Sequence, residues 1–84
     1  VMSEMREQVR TYIVDNFLFG DDNGLEDSTS FLESGMIDST GILEVISYLE
    51  EQFAIKVHDD ELIPENLDSI GNIVGFLGTK MAAA

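Results

Sequence analysis

The chain of 84 residues carries 17 Asp and Glu against 4 Lys and Arg, a formal net charge of −13, and no cysteine. That balance repels nucleic acid and anionic lipid surfaces and suits basic protein patches, while the lack of cysteine excludes disulfides, thiolate metal sites and a thioester on the polypeptide itself. At this length one domain over residues 1–84 is expected, burying roughly 60 to 65% of its unfolded surface; no apolar run nears the ~20 residues of a membrane helix and nothing resembles a secretory signal, so the expected address is cytoplasmic.

From about residue 3 to 17, Met5, Val9, Tyr12, Ile13 and Phe17 share one helical face, with Glu4, Arg6, Glu7 and Arg10 elsewhere. Ser3 is the expected N-cap, although Arg6 stands where a capping box needs an acid or amide. Phe19-Gly20-Asp21-Asp22-Asn23-Gly24 stops the periodicity with turn formers and opens a loop to Asp38. A loop of about 20 residues has to be functional or packed by its own side chains, which Leu25, Phe31, Leu32, Met36 and Ile37 can supply. Within it Ser28 or Ser30 can start one turn through Phe31-Leu32-Glu33, ended by Gly35. Asp21, Asn23 and Gly24 resemble the middle of a calcium loop, but that register puts Phe19 and Ser30 where acidic ligands are needed. A solvated turn and no metal site are expected.

The next stretch organises the chain. From 39 to 53, Ile42, Val45, Ile46, Leu49 and Phe53 collect on one helical face, while Glu44, Glu50 and Glu51 fall outside it. Asp38 and Ser39 stand where the pattern begins, and both residue types favour helix starts because their oxygens accept from first-turn N–H groups. A phosphate ester on Ser39 would meet the positive end of the helix dipole.

Ala54-Ile55-Lys56-Val57 then anchors a connection, and Asp59-Asp60-Glu61-Leu62-Ile63 suggests a short helix over about 60–63, interrupted by Pro64. A last helix is expected over about 69–80, capped by Asp68 or Ser69, with Ile70, Ile73, Val74, Leu77 and Met81 inward and 81–84 as a frayed end. Gly71, Gly75 and Gly78 each lower its propensity by roughly 1 kcal/mol relative to Ala. Their spacing suggests a face for close approach of a neighbour or for a guest chain, so that Gly75→Ala should destabilise. Arg6, Arg10 and Lys80 lie near the chain ends; if these ends pack together, the middle is left almost purely acidic. The elements add up to an all-α antiparallel bundle, three main helices plus one short helix with a long first loop.

A hydrolase reading of Ser39 fails because, of the flanking Ile37 and Gly41, Ile37 stands where the Gly-x-Ser-x-Gly elbow needs a glycine. His58, the single histidine, sits among Lys56, Asp59 and Asp60 and reads as a solvated surface residue. Phosphate-loop and dinucleotide motifs are absent, so no enzyme is expected. An internal echo, Ile37-Asp38-Ser39-Thr40-Gly41 against Leu67-Asp68-Ser69-Ile70-Gly71, makes Ser69 the rival of Ser39, but the segment after Ser69 lacks an acidic face.

Asp38-Ser39 after Gly35, followed by an acidic amphipathic helix ending Leu49-Glu50-Glu51-Gln52-Phe53, resembles an acyl carrier protein; the match runs from about Ser30 to about Leu77. The resemblance implies that Ser39, with Asp38 beside it, carries 4′-phosphopantetheine, placed there by a phosphopantetheinyl transferase. The terminal thiol of that arm would hold acyl groups as thioesters for synthases or transferases with basic patches, in fatty-acid, polyketide or related lipid biosynthesis. Thr40 and Gly41 depart from the family, which has Leu or Met and then an acid there, and point to a specialised, discrete, bacterial-type carrier. Glu44, Glu50 and Glu51 would recognise partners, a monomer is expected, and an acyl chain could enter between helices lined by Ile42, Val45, Ile46, Leu49 and Ile73. An aminoacyl or peptidyl carrier is the nearer alternative, although its paired glycines before the serine are missing. A non-covalent acidic interaction module is the further one.

Overall fold

The computed structural model describes residues 2–21 and 24–83, and for 2, 3, 82 and 83 the backbone alone. Five α-helices account for the regular structure among them: α1 Met2–Phe17, α2 Phe31–Ser34, α3 Ser39–Phe53, α4 Pro64–Leu67 and α5 Ile70–Ala83, with a 3-10 turn at Asp59–Glu61. The all-α expectation holds.

Each long helix buries the stripe its periodicity marks. Val9 and Ile13 of α1, Val45 and Leu49 of α3, and Ile70, Ile73 and Leu77 of α5 are fully buried and meet in one core. The long first loop is part of that core, since Leu25, Phe31 and Ile37 are buried in it. Its turn forms as expected: the Ser30 hydroxyl caps α2 by accepting the Glu33 N–H at 3.1 Å, and Gly35 closes it at φ 77°. A left-handed residue there suits glycine, which has no Cβ to clash.

α1 and α3 run antiparallel side by side. The Tyr12 hydroxyl donates to the Glu44 carbonyl at 3.2 Å, the Tyr48 hydroxyl to the Gln8 carbonyl at 3.3 Å, and the two rings stack with centroids 3.9 Å apart. α5 packs across α1 and α4. Arg6 pairs with Asp27 at 3.1 Å, Arg10 donates to the Leu25 carbonyl at 3.0 Å, and Lys80 pairs with Glu61 at 2.8 Å. Three of the four bases thus serve contacts within the bundle.

Several expectations need correction. Pro64 begins α4 rather than interrupting a helix, because the first helical position needs no N–H and wants the φ that the proline ring enforces. The preceding turn covers Asp59–Glu61 instead of 60–63. α1 begins at Met2, so Ser3 is inside the helix and not its cap. α5 continues through Ala83, which removes the frayed end as far as the described residues go. Met81 and Leu32, expected inside, are 45% and 46% exposed, whereas Phe76 is buried. A Cβ on Gly75 would meet nothing within 4 Å, so this glycine serves no close approach. The readings at Asp22, Asn23 and Ala84 lie outside the described residues.

Candidate functional site

Asp38 stands in extended conformation before α3 and its Oδ1 accepts the Gly41 N–H at 2.7 Å, while its carbonyl accepts the Ile42 N–H at 3.0 Å. Asp38 is therefore the N-cap, and Ser39 is the first helical residue. The first-turn amides of Ser39 and Thr40 have no carbonyl within the helix to bond. Ser39 is exposed, at the positive end of a 15-residue helix.

Gly41, which by sequence alone only weakens the first turn, has a packing role. A Cβ there would lie 2.7 Å from Ile37 Cγ2 and 3.0 Å from Phe17 Cε1. The glycine lets the last turn of α1 and the buried Ile37 close against the start of α3.

Beside Ser39 opens a groove of about 250 Å³. Ile42, Leu43 and Ile46 of α3 form one wall, and Leu62, Ile63, Pro64 and Leu67 the other, with Leu32 and Asp68 completing it. Of the five residues expected to line an acyl pocket, Ile42 and Ile46 do so. Val45, Leu49 and Ile73 are fully buried in the core instead. Helical periodicity does not reveal the far wall, which comes from Leu62, Ile63 and the four-residue α4, too short to show a period. Its signal is a cluster of apolar residues around Pro64 that no amphipathic pattern absorbs: Leu62 and Ile63 remain 40% and 42% exposed, as does Leu43 at 58%.

The three glutamates of α3 separate. Glu44 and Glu51 are exposed. Glu50 is half-buried and accepts the Val57 N–H at 2.9 Å, tying the connection after α3 back onto the helix. Burial, and next Glu44 and Tyr48, raise the Tyr12 phenol above its ordinary pKa, and burial raises that of Tyr48. Both hydroxyls stay protonated at neutral pH and serve as donors.

Ser69 differs from Ser39 in both respects that matter. It is buried at 6% exposure, and its Oγ accepts the Asn72 N–H at 3.1 Å. It caps α5. Asp68, the other expected cap, accepts the Ser30 hydroxyl and, at 3.0 Å, the Leu32 N–H, and so clasps α2 to the end of α4. His58 is exposed, and its backbone N–H donates to Glu61 at 2.9 Å. Among the described residues no three His, Cys, Asp or Glu side chains could hold a metal, and no helix is long and apolar enough to cross a membrane.

Residues 7–77 match the family model of the phosphopantetheine attachment site. The chain is 32% identical over 81 residues to an acyl carrier protein of Thermosynechococcus vestitus, covering 96% of both, and 30% identical over 81 residues to one of Caulobacter vibrioides, covering 96% of this chain and all of the other. A probable acyl carrier protein of Serratia, PigG, is 22% identical over 73 residues, 87% of this chain and 84% of that one. Among solved structures, a chain described as an FAD-dependent dehydrogenase superposes with a TM-score of 0.73 at 22% identity, covering 82% of this chain and 97% of that one, a likeness of fold.

Proposed function

The chain belongs to the acyl carrier protein family, whose phosphopantetheine-binding domain carries a 4′-phosphopantetheine group, and from that premise we propose that Ser39 is the attachment point in a single carrier domain. The observation that carries this reading is the position of Ser39: an exposed hydroxyl on the first residue of α3, at the mouth of an apolar groove. A phosphodiester there lies at the positive end of the helix, where the free first-turn N–H groups can donate to its oxygens. Asp38 contributes as the cap that fixes this turn.

The residues present fit the group. The serine is accessible to a transferase, and the groove beside it offers apolar walls to whatever the arm bears. At about 250 Å³ the groove falls just below the roughly 300–1,000 Å³ of drug-sized ligand sites. When bound, the arm supplies the thiol that the chain itself lacks, and the protein supplies presentation.

The carried groups are acyl thioesters, presented to synthases and transferases of fatty-acid, polyketide or related lipid biosynthesis; the chemistry is the partners'. Glu44 and Glu51 steer basic enzyme surfaces and chiefly set the encounter rate, so partner turnover weakens with salt. The test is co-expression with a broad-specificity phosphopantetheinyl transferase followed by intact mass. Wild type and Ser69→Ala gain the arm, and Ser39→Ala does not. Addition to Ser39→Ala would remove the proposal.

A further inference from the structure

α1 ends in the apolar run Phe17-Leu18-Phe19. The first two pack against the core. Phe19 does not: it is 95% exposed, and its backbone is left-handed at φ 56°. Bulky side chains rarely adopt that conformation, which costs free energy wherever it is held. Here it is held by the turn, in which the Leu18 and Gly20 N–H groups both return to the Val14 carbonyl, at 3.2 and 2.9 Å. A glycine would make the same turn without strain, and a polar residue would make it without exposing a ring. Neither stability nor solubility accounts for phenylalanine here.

Its place in the fold suggests an account. Phe17 abuts Gly41, so the end of α1 lies against the start of α3. Phe19 is two residues beyond that contact and Ser39 two residues before it, which puts the exposed ring at the same end of the bundle as the exposed hydroxyl. Phe19 takes no part in the groove. The start of α3 adds exposed acidic side chains, Asp38 at the cap and Glu44 in the second turn.

We propose that Phe19 anchors the enzyme that acts on Ser39, its ring entering an apolar pocket beside that enzyme's active-site mouth while basic side chains around the pocket meet Asp38 and Glu44. The proposal rests on Ser39 as the attachment point. An aromatic ring suits the task because it brings a large contact area with few rotatable bonds to freeze, and buried aromatics supply much of the binding energy at protein interfaces. The net charge of −13 makes a basic rim the complementary surface. The strain at Phe19 is then retained for binding and not for folding.

The experiment compares wild type, Phe19→Ala, Phe19→Gly and Phe19→Tyr with a broad-specificity phosphopantetheinyl transferase and coenzyme A, following addition by mass, with melting temperature and sedimentation measured on the same samples. The Ala and Gly variants should lose roughly tenfold in kcat/KM, mainly through KM, and Tyr should restore most of it. Melting temperatures should hold or rise, most of all for Gly, and wild type should sediment as a monomer. Equal kcat/KM across the four proteins overturns the proposal, as does a wild-type dimer that Phe19→Ala dissociates; in both cases Ser39 keeps its role. A wild type that never gains the arm removes the Ser39 reading, and the anchor with it.

Discussion

Two stretches of this chain are nearly the same five residues and end up doing opposite things. In Ile37-Asp38-Ser39-Thr40-Gly41 the aspartate caps the helix, which leaves the serine exposed as the first helical residue. In Leu67-Asp68-Ser69-Ile70-Gly71 the helix starts one position later, the serine is the buried cap, and the aspartate reaches across to Ser30 and Leu32. A shift of one residue in the cap decides which hydroxyl a partner can reach. The shift follows from competition for the aspartate. Asp68 has two donors from α2 within reach and is drawn to them, whereas the oxygen of Asp38 bonds the first turn of its own helix.

The largest effect on stability should come from the tertiary aspartate. Asp68→Ala strands the Leu32 N–H and frees Ser30, and should cost about 2 kcal/mol, as expected for hydrogen bonds to a charged group. Asp38→Ala loses a cap, at about 1 kcal/mol. Denaturant melts of both variants check the order. Equal losses would mean that the two aspartates do the same job.

Two glycines, one closing the first pentad and one a turn past the second, should respond with opposite signs. At Gly41 a methyl group collides with Ile37 and Phe17, and overpacking outweighs the gain in helix propensity, so Gly41→Ala should destabilise by about 1 kcal/mol. One turn past the second pentad, Gly75→Ala fills open space on an exposed helical surface and should stabilise by about 0.5 to 1 kcal/mol. Thermal melts of the two variants would separate a glycine required by packing from one that is not.

The smallest effect lies at the far end of α5. Lys80, by its hydrogen bond, and then the His58 N–H hold the Glu61 carboxyl below its ordinary pKa. A carboxylate depressed by folding contributes above its unfolded pKa and loses that contribution as pH falls through the folded value. Wild type should therefore exceed Lys80→Met in stability at neutral pH by a small margin. That margin should shrink as pH falls and vanish below the folded-state pKa, a trend followed by denaturant midpoints across pH.

Much of this architecture can be read from the one-dimensional pattern. The three long helices show in the spacing of Val9 and Ile13, of Val45 and Leu49, and of Ile73 and Leu77, because helical periodicity is local and one face has to leave water. The Ser30 and Gly35 caps of α2 are legible for the same reason. Less legible is whatever depends on a distant partner. Glu50 looks like one more surface acid until Val57 is seen to donate to it, and Gly41 looks like a weak helix residue until Phe17 is seen against it. The exposed ring of Phe19 sits in a stretch whose composition says only that a turn is near.

The sequence by itself determined that the chain is helical and acidic, that it can form no thioester on a side chain of its own, and that two Asp-Ser pairs stand where helices begin. Only the tertiary structure decided which of the two serines faces outward, and that an apolar groove opens beside it. The reason is physical: propensity and amphipathic spacing act over a few residues and set where helices form. Cap register, burial and groove walls depend on which donors and side chains from elsewhere in the chain arrive within hydrogen-bonding or van der Waals reach.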